Sequence, residues 1–416
     1  MNIYTFLILS LIITIYSIQT IADLLNIKNI STSIPLEFEG YYDKEKYVKS
    51  QEYLKEKTKF SIVSSTFFLA VQIIFITLGG FNYLDTRVVS FGFGSILTGL
   101  IFAGTLFFTF EILKIPFSLY SVFVIEERFG FNRMNIKTFI TDSLKSWFVT
   151  AIIGSIIFVA TLWLFINTCK YAWLYAFTVI VVFEIFITFV APVVIMPLFN
   201  KYTTLENGEL KDTIEKYAKK ENFKMKGLFR MDGSKRSTKS NAFFTGIGKF
   251  RRIVLFDTLI QKHSVDELTS ILAHEMGHFK LGHILKHMIF SFVSTLIMLF
   301  ILSLFINEVW LYDAFLMNTQ PMYAGIIFSS FLYEPISIII SIISNYFSRK
   351  HEYEADAYAV KTYRKPEVMI NALKKLSVDN LSNLYPHKFK VFLEYSHPPV
   401  LERIKAINKI SLSTKI

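Results

Sequence analysis

Two histidines stand four residues apart at His274 and His278, and Glu275 lies between them. On a helix, this spacing puts both imidazoles on one face, where they can bind a single metal ion. A carboxylate beside such a pair can take a proton from a water at the metal. The spacing therefore predicts one zinc ion held by His274 and His278, with Glu275 as general base. The alternative is a solvated histidine pair beside a surface glutamate.

A catalytic zinc also requires a third protein ligand and an open position for water. His283 follows His278 by five residues, which is a poor angle for the same ion, and His287 lies more than two helical turns away. Neither histidine is therefore predicted as a ligand. We expect both to lie at the membrane boundary or to line a cavity.

The third ligand is predicted in the carboxyl-terminal stretch 348–356. If this stretch is helical, Glu352 and Asp356 share one face. One carboxylate can bind the metal, and the other can accept the second N–H of a ligating histidine and so fix its tautomer. Glu354 points to another side of such a helix and is expected to be solvated. An ordinary charged helix face is the alternative for this stretch.

Local patterns indicate the elements that position these residues. Ser264 and Glu267 have the spacing of a capping box, which predicts the start of the helix that carries both histidines. Residues 208–221 have the pattern of an amphipathic helix. Ala242–Thr245 and Ile253–Phe256 are short apolar runs near glycines, which predicts a hairpin or two adjacent strands.

The rest of the chain is typical of a membrane protein. Of its 416 residues, 52% are hydrophobic, and a membrane helix needs about 20 consecutive apolar residues. The apolar run at 96–123 contains Pro116, which predicts that this helix kinks, tilts or leaves the membrane early. The first run has no basic leading region and no cleavage site of small residues, so we interpret it as a retained span. Seven runs qualify, at roughly 3–23, 59–80, 96–123, 146–167, 171–197, 285–306 and 322–346.

The net charge of +11 would suggest nucleic acid or anionic lipid as a partner of a soluble protein. Here the basic residues are concentrated in alternate loops, and the loop at 307–321 has none. The positive-inside rule then places segments 198–284 and 347–416 together on the cytoplasmic side. The predicted partners are the lipid bilayer and a membrane-associated peptide or protein, not nucleic acid.

The two halves of the predicted site lie at a similar depth. His278 precedes the span at 285 by seven residues, and Glu352 follows the span ending at 346 by six. Both therefore lie within about 10 Å of the membrane edge. We divide the chain into membrane helices 1–5 (1–200), a catalytic segment (201–284), membrane helices 6–7 (285–346) and a carboxyl-terminal segment (347–416). The single cysteine, Cys169, excludes an internal disulfide framework.

Several stretches in addition to the histidine motif resemble the type I prenyl-protein (CAAX) proteases, a family of seven-span membrane gluzincins. The resemblance covers nearly the whole chain. It rests on Glu126–Asn132, Met196–Tyr202, Ser240–Phe244, Arg252–Leu259, Ser348–Glu352 with Ala355–Asp356, and Tyr395–Pro399.

The resemblance implies a mostly α polytopic membrane protein with seven transmembrane helices, a small α+β zinc-metalloprotease domain and a large water-filled chamber. It implies an endoprotease that cleaves after a lipidated cysteine near a substrate's carboxyl terminus. It also implies roles for particular residues: Glu352 as third zinc ligand, Asp356 as partner of a ligating histidine, and His397 as the group that stabilises the oxyanion. Asn241, Ala242 and Phe243 are implied as the edge that binds the substrate backbone.

Three functions stay open on the sequence. The first is processing of prenylated proteins, and the second is a broader membrane protease for quality control. The third is a seven-span transporter or receptor with structural histidines. The membrane is that of the endoplasmic reticulum or the inner membrane of a bacterium, with the active site on the cytoplasmic side.

Overall fold

The structure is a computed structural model, and it describes residues 2–245 and 252–414. These residues form a mostly helical fold with one small sheet. Seven helices are long and apolar enough to cross a membrane, which confirms the predicted fold class. They are Ile3–Lys28, Lys44–Thr77, Ser95–Glu126, Ile136–Asn167, Ala172–Phe199, His283–Phe305 and Met322–Tyr363.

Two of these helices contain a π-helical segment, which ends one helix at Ser121–Glu126 and precedes the last turn of another at Ala191–Ile195. Pro116 lies inside the helix that precedes the first of them. The α-helices are α1 (Ile3–Lys28), α2 (Lys44–Thr77), α3 (Gly80–Val89), α4 (Ser95–Tyr120), α5 (Ile136–Asn167), α6 (Ala172–Val190), α7 (Met196–Phe199), α8 (Glu209–Lys220), α9 (Asp257–Lys262), α10 (Val265–Lys280), α11 (His283–Phe305), α12 (Val309–Ala314), α13 (Met322–Tyr363), α14 (Pro366–Asp379), α15 (Lys388–Glu394) and α16 (Val400–Thr414).

Helix α13 is much longer than the apolar run that predicted it. Its 42 residues extend about 63 Å, roughly twice the thickness of a membrane's hydrocarbon core. The part after residue 346 therefore protrudes from the membrane as a direct continuation of the span. Glu352 and Asp356 lie on this protruding part, so the last span holds them rigidly near the membrane edge.

The sheet has four strands, β1 (Tyr202–Thr204), β2 (Gly227–Met231), β3 (Ala242–Thr245) and β4 (Arg252–Phe256), in the order β1-β2-β4-β3. The predicted pair is present, since β3 runs antiparallel to β4 with Ala242 opposite Leu255. The residues that join these two strands lie outside the described ranges. Strands β1 and β2 were not predicted, because β1 has three residues and β2 contains a glycine and an arginine.

One hydrophobic core joins the two soluble segments. Ile214 of α8, Leu255 of β4 and Leu272 of α10 are fully buried against Ala359 of α13 and Ala372 of α14. Burial of a leucine or isoleucine side chain stabilises a fold by about 1.5–3 kcal/mol. The segments before and after the last two spans therefore form one folded unit on one side of the membrane helices, as the loop charges predicted.

Candidate metal centre

Helix α10, which carries His274 and His278, starts at the predicted capping box. The Ser264 hydroxyl accepts a hydrogen bond from the Glu267 backbone N–H at 3.3 Å, and the Glu267 carboxylate accepts one from the Ser264 N–H at 2.9 Å. These two bonds satisfy backbone donors that the first helical turn leaves free. They fix the residue at which the helix starts. The start in turn sets the orientation of α10 about its own axis, which directs both histidines toward α13.

A glycine in the histidine motif lets α10 and α13 approach each other closely. A Cβ atom on Gly277 would lie 3.0 Å from Ala355 Cα and 3.1 Å from Tyr358 Cβ. No larger residue fits here without moving the α13 backbone. The absence of a side chain at Gly277 therefore brings the histidines of α10 within reach of Glu352 on α13.

Three side chains from these two helices converge. The Nε2 atoms of His274 and His278 are 3.1 Å apart, and Glu352 places Oε1 at 3.1 Å from His278 Nε2 and Oε2 at 3.5 Å from His274 Nε2. Ligands at about 2.0–2.2 Å around a tetrahedral zinc are about 3.3–3.6 Å apart, close to these separations. The donor set of two imidazoles and one carboxylate therefore fits a catalytic zinc.

The carboxylate of Glu352 provides a second test of this fit. Its Oε2 atom is buried and accepts no well-directed hydrogen bond from the described residues, although Arg403 Nη1 lies 3.2 Å away. A buried carboxylate oxygen without a donor costs free energy, and a cation removes that cost. The arrangement around Glu352 therefore fits a metal ligand.

Asp356 lies behind His274, where it was expected. Its Oδ1 atom is 2.8 Å from His274 Nδ1, so Nδ1–H donates to Asp356 and Nε2 is left free for a metal. Burial alone would lower the pKa of His274, but contact with Asp356 and Glu352 raises it to about 9. The imidazole is therefore protonated at neutral pH when no metal is bound.

Arg403 on α16 completes this arrangement, and sequence reasoning did not find it. It donates from Nε to Asp356 Oδ2 at 2.8 Å and from Nη2 to Oδ1 at 2.6 Å. Asp356 is fully buried, and such a two-pronged contact balances its charge. The only sequence signal for Arg403 was its position four residues after Pro399, the last residue of a motif that resembles the family.

Glu275 faces a cavity of about 430 Å³ next to the donor atoms. Burial raises the pKa of its carboxyl group, and the two neighbouring histidines oppose that effect only in part. A carboxylate with a raised pKa binds a proton more readily than one in water, as a general base at this position requires.

The remaining predicted residues line the same cavity. His397 lies in the loop before α16, which starts at Val400, and its Nε2 atom is 3.4 Å from Glu352 Oε1. Asn241, which precedes β3, and Ala242 and Phe243 in β3, an edge strand of the described sheet, also line it. The structure thus gathers around one space all the residues that the sequence assigned to the metal, the base, the oxyanion and the substrate backbone.

Two expectations about residues near the site were incomplete. Glu354, expected to be solvated, is only partly exposed and lies 3.0 Å from His283 Nε2. His283, expected at the membrane boundary or lining a cavity, is the first residue of the candidate span α11, and it is also buried with its Nδ1 atom 3.0 Å from His278 Nδ1. Neither prediction included the contacts that His283 makes with His278 and with Glu354, on the side of His278 that faces away from the candidate metal position.

A larger cavity of about 900 Å³ meets the site at Asn241. Residues of α1 and α2 line it, together with residues 380–383, Lys390, Glu394 and Tyr395. Many of the lining side chains are polar, among them Gln19, Thr58 and Lys239. This chamber is polar enough to hold water, and it shares the lining residue Asn241 with the cavity at the donor atoms.

Two family models cover nearly the whole chain. The model described as "CAAX prenyl protease N-terminal, five membrane helices" matches residues 23–201, and Peptidase family M48 matches residues 204–411. The chain is 37% identical to a probable CAAX prenyl protease 1 of Schizosaccharomyces pombe, covering 89% of this chain and 81% of the relative. It is 33% identical to the CAAX prenyl protease 1 homolog of Homo sapiens, covering 91% of this chain and 89% of that protein.

A solved structure shows the same fold. The crystal structure of Ste24p from S. mikatae superposes with a TM-score of 0.92 at 32% sequence identity, covering 98% of this chain and 100% of that chain. The likeness extends over membrane helices and soluble segments alike. The chain therefore belongs to peptidase family M48, as an integral membrane metallopeptidase of the CAAX prenyl protease family.

Proposed function

We propose that this protein is a zinc endopeptidase that cleaves the carboxyl-terminal C-a-a-X tripeptide from prenylated proteins at the cytoplasmic face of a membrane. The observation that supports this most directly is the convergence of His274, His278 and Glu352 within 3.5 Å of one another. The loop charges favour the cytoplasmic side. Relatives from yeast and human favour the endoplasmic reticulum over a bacterial inner membrane.

The proposed zinc ligands are His274 Nε2, His278 Nε2 and the carboxylate of Glu352. Bound zinc supplies a Lewis acid that polarises a peptide carbonyl and acidifies a water molecule. Three protein ligands leave one position open for this chemistry. Asp356 accepts the Nδ1–H of His274 and so holds that imidazole in the ligating tautomer, and Arg403 holds Asp356 in place.

Glu275 is the proposed general base. It accepts the proton of the attacking water and then passes it to the leaving amine. Its raised pKa, caused by burial, supports this double role, because the carboxyl group can hold the proton between the two transfers.

His397 is proposed to stabilise the oxyanion that forms at the scissile carbonyl. Ser396 Oγ lies 2.9 Å from His397 Nδ1. When the Ser396 hydroxyl donates to Nδ1, the imidazole proton is on Nε2, the atom nearest Glu352. Nε2–H can then donate to the oxyanion inside the cavity.

The substrate is proposed to bind as an added strand on β3. Asn241, just before β3, and Ala242 and Phe243 in β3 line the cavity at the donor atoms, and an extended peptide at this edge places its backbone beside those atoms. The chamber of about 900 Å³ adjoins Asn241 and is lined in part by α1 and α2. A peptide tethered to the membrane by a lipid therefore has space to reach the site from the bilayer.

A cleavage assay tests this function. Purified protein in bilayer nanodiscs is given a farnesylated C-a-a-X peptide and its unprenylated twin. We expect cleavage after the modified cysteine, faster for the farnesylated peptide. Equal cleavage of both would support a broad quality-control protease instead, and no cleavage by zinc-loaded protein would contradict the proposal. Membership of the peptidase family does not favour a transporter or receptor.

The Glu275→Gln variant tests the mechanism in the same assay. Loss of the base is expected to lower kcat by about 10²–10⁴-fold while one zinc per chain stays bound. Glu206→Gln, which removes an exposed carboxylate away from the cavity, is the matched control and should leave kcat unchanged. Full activity of Glu275→Gln would rule out Glu275 as the base.

A further inference from the structure

The two histidines of α10 are supported by different partners. His274 Nδ1 donates to the carboxylate of Asp356 at 2.8 Å. His278 Nδ1 instead lies 3.0 Å from Nδ1 of a third histidine, His283, at the start of α11. The structure thus contains a second supporting contact behind the metal centre, and the proposed mechanism does not use it.

The proton positions in this contact follow from ligation. If His278 binds the metal through Nε2, its proton is on Nδ1, which then needs an acceptor. The Nδ1 atom of His283 accepts that bond only if its own proton is on Nε2. His283 Nε2 is 3.0 Å from Glu354 Oε2, so its N–H donates a hydrogen bond to that carboxylate oxygen. Each donor in the series from His278 to His283 to Glu354 therefore faces an acceptor.

Packing fixes the His283 ring in this orientation. The residue is 1% exposed, and its ring stacks on that of His351 at 4.1 Å with an angle of 12° between the planes. A stacked and buried ring cannot turn freely, so the direction of its Nδ1 lone pair is set. His283 is therefore preorganised to hold His278, as Asp356 is to hold His274.

The same residues do not form a good second metal site, although His283, His351 and Glu354 bring donor atoms within 4.8 Å of one another. A metal ion lies close to the plane of each imidazole that binds it. The nearly parallel rings of His283 and His351 are separated face to face, so one ion cannot lie in both planes. Hydrogen bonding to His278 is the use that fits the geometry.

We propose that His283 is a positioning residue that orients His278 for metal binding and is itself held by Glu354. This inference rests on the proposed metal centre. It also explains why His283 is buried next to the motif without being a ligand. The Glu354 side chain is 38% exposed, so water can reach the residue that holds His283. Asp356 and Arg403, which support His274, are far less exposed.

The test measures zinc affinity of the purified full-length protein by competition with a chelator, without reference to activity. His283→Leu fills the buried space but accepts no bond, and we expect zinc to bind about 10–100-fold more weakly. His283→Asn places an amide oxygen near the Nδ1 position and should recover most of that loss. Glu354→Ala, at a partly exposed position that tolerates truncation, should weaken binding in the same direction.

His263→Leu is the matched control, because His263 is also buried next to α10 but lies at the opposite end of that helix from His278. We expect its zinc affinity to equal that of the unchanged protein. Unchanged affinity in His283→Leu, or an equal loss in His263→Leu, would overturn the positioning role. The role would also be overturned if the unchanged protein bound two zinc ions per chain and the His283→Leu variant bound one. Absence of zinc from the unchanged protein would instead contradict the metal centre itself.

Discussion

At the scale of single residues, the site places charged side chains and imidazoles next to one another, and one bound cation would balance their charge. Glu352, Asp356 and His274 are buried, Arg403 is mostly buried beside them, and their contacts are 2.6–3.5 Å long. Two carboxylates and one guanidinium leave a net negative charge beside two imidazoles. This charge explains the raised pKa of His274, and it favours a divalent cation at the same place.

Metal binding is therefore predicted to release a proton. The pKa of His274 is about 9 without metal, so below that pH the imidazole is charged and must lose its proton before it can bind zinc. Apparent zinc affinity should rise with pH until about pH 9 and then level off. Calorimetric titrations at about pH 7 in two buffers of different ionisation enthalpy measure the release. A binding heat that is the same in both buffers would contradict the prediction.

Removal of the Arg403 guanidinium is predicted to destabilise the protein. In Arg403→Gln, Asp356 keeps its buried charge without its main partner, which costs about 3–5 kcal/mol of unfolding free energy. Thermal unfolding in detergent, without added zinc, measures the change. Arg128→Gln is the control, because Arg128 pairs with Glu56 at an exposed position, where ion pairs contribute about 0–1 kcal/mol. Equal effects of the two variants would be evidence against a buried charge network.

Helical spacing predicted the two candidate histidine ligands with the base, and a pair of carboxylates on one face, while the family resemblance assigned Glu352 as the third ligand. His274, Glu275 and His278 lie within one turn of α10, and Glu352 and Asp356 lie within one turn of α13. Arg403 could not be predicted in this way, because its contacts depend on how α16 packs against α13. The contact of His283 could not be predicted, because spacing along a helix indicates only which side chains can bind the same ion.

At the scale of elements, the packing of two helices, α10 and α13, sets the positions of the candidate ligands. Helix α13 carries a carboxylate out of the membrane on a continuous helix, and α10 lies against it. The sequence predicted the membrane part of α13 from hydropathy and α10 from its capping box. It did not predict β1 and β2, because short strands with mixed residues have no clear periodicity. The bounds that we assigned to the four chain segments stay a prediction.

Close packing of α10 on α13 is predicted to depend on Gly277. In Gly277→Ala, the new methyl group would lie about 3 Å from backbone atoms of Ala355, and the helices must separate. Such overpacking costs about 1–3 kcal/mol and should also weaken zinc binding, because Glu352 moves away from the histidines. Thermal unfolding and chelator competition measure both effects.

Gly154→Ala is the control for the loss of a helical glycine. A Cβ atom at Gly154 meets no atom within 4 Å, so this variant should be neutral or slightly more stable. If Gly277→Ala behaved in the same way, close approach of the two helices would not be what limits the site.

At the scale of the whole molecule, a single core ties the soluble segments to the last two membrane spans. The core residues of α8, β4 and α10 pack against the protruding end of α13 and against α14, which follows it. The metal centre is thereby held near the membrane edge, with the chamber lined by α1 and α2 beside it. This placement suits a substrate that stays attached to the bilayer while its peptide enters the site.

The most direct test is a crystal structure of the purified protein with anomalous data collected on both sides of the zinc absorption edge. The account predicts one zinc peak per chain, about 2.0–2.2 Å from His274 Nε2, His278 Nε2 and a carboxylate oxygen of Glu352. A peak between His283 and His351, or a zinc bound by the two motif histidines with Glu352 turned away, would contradict it.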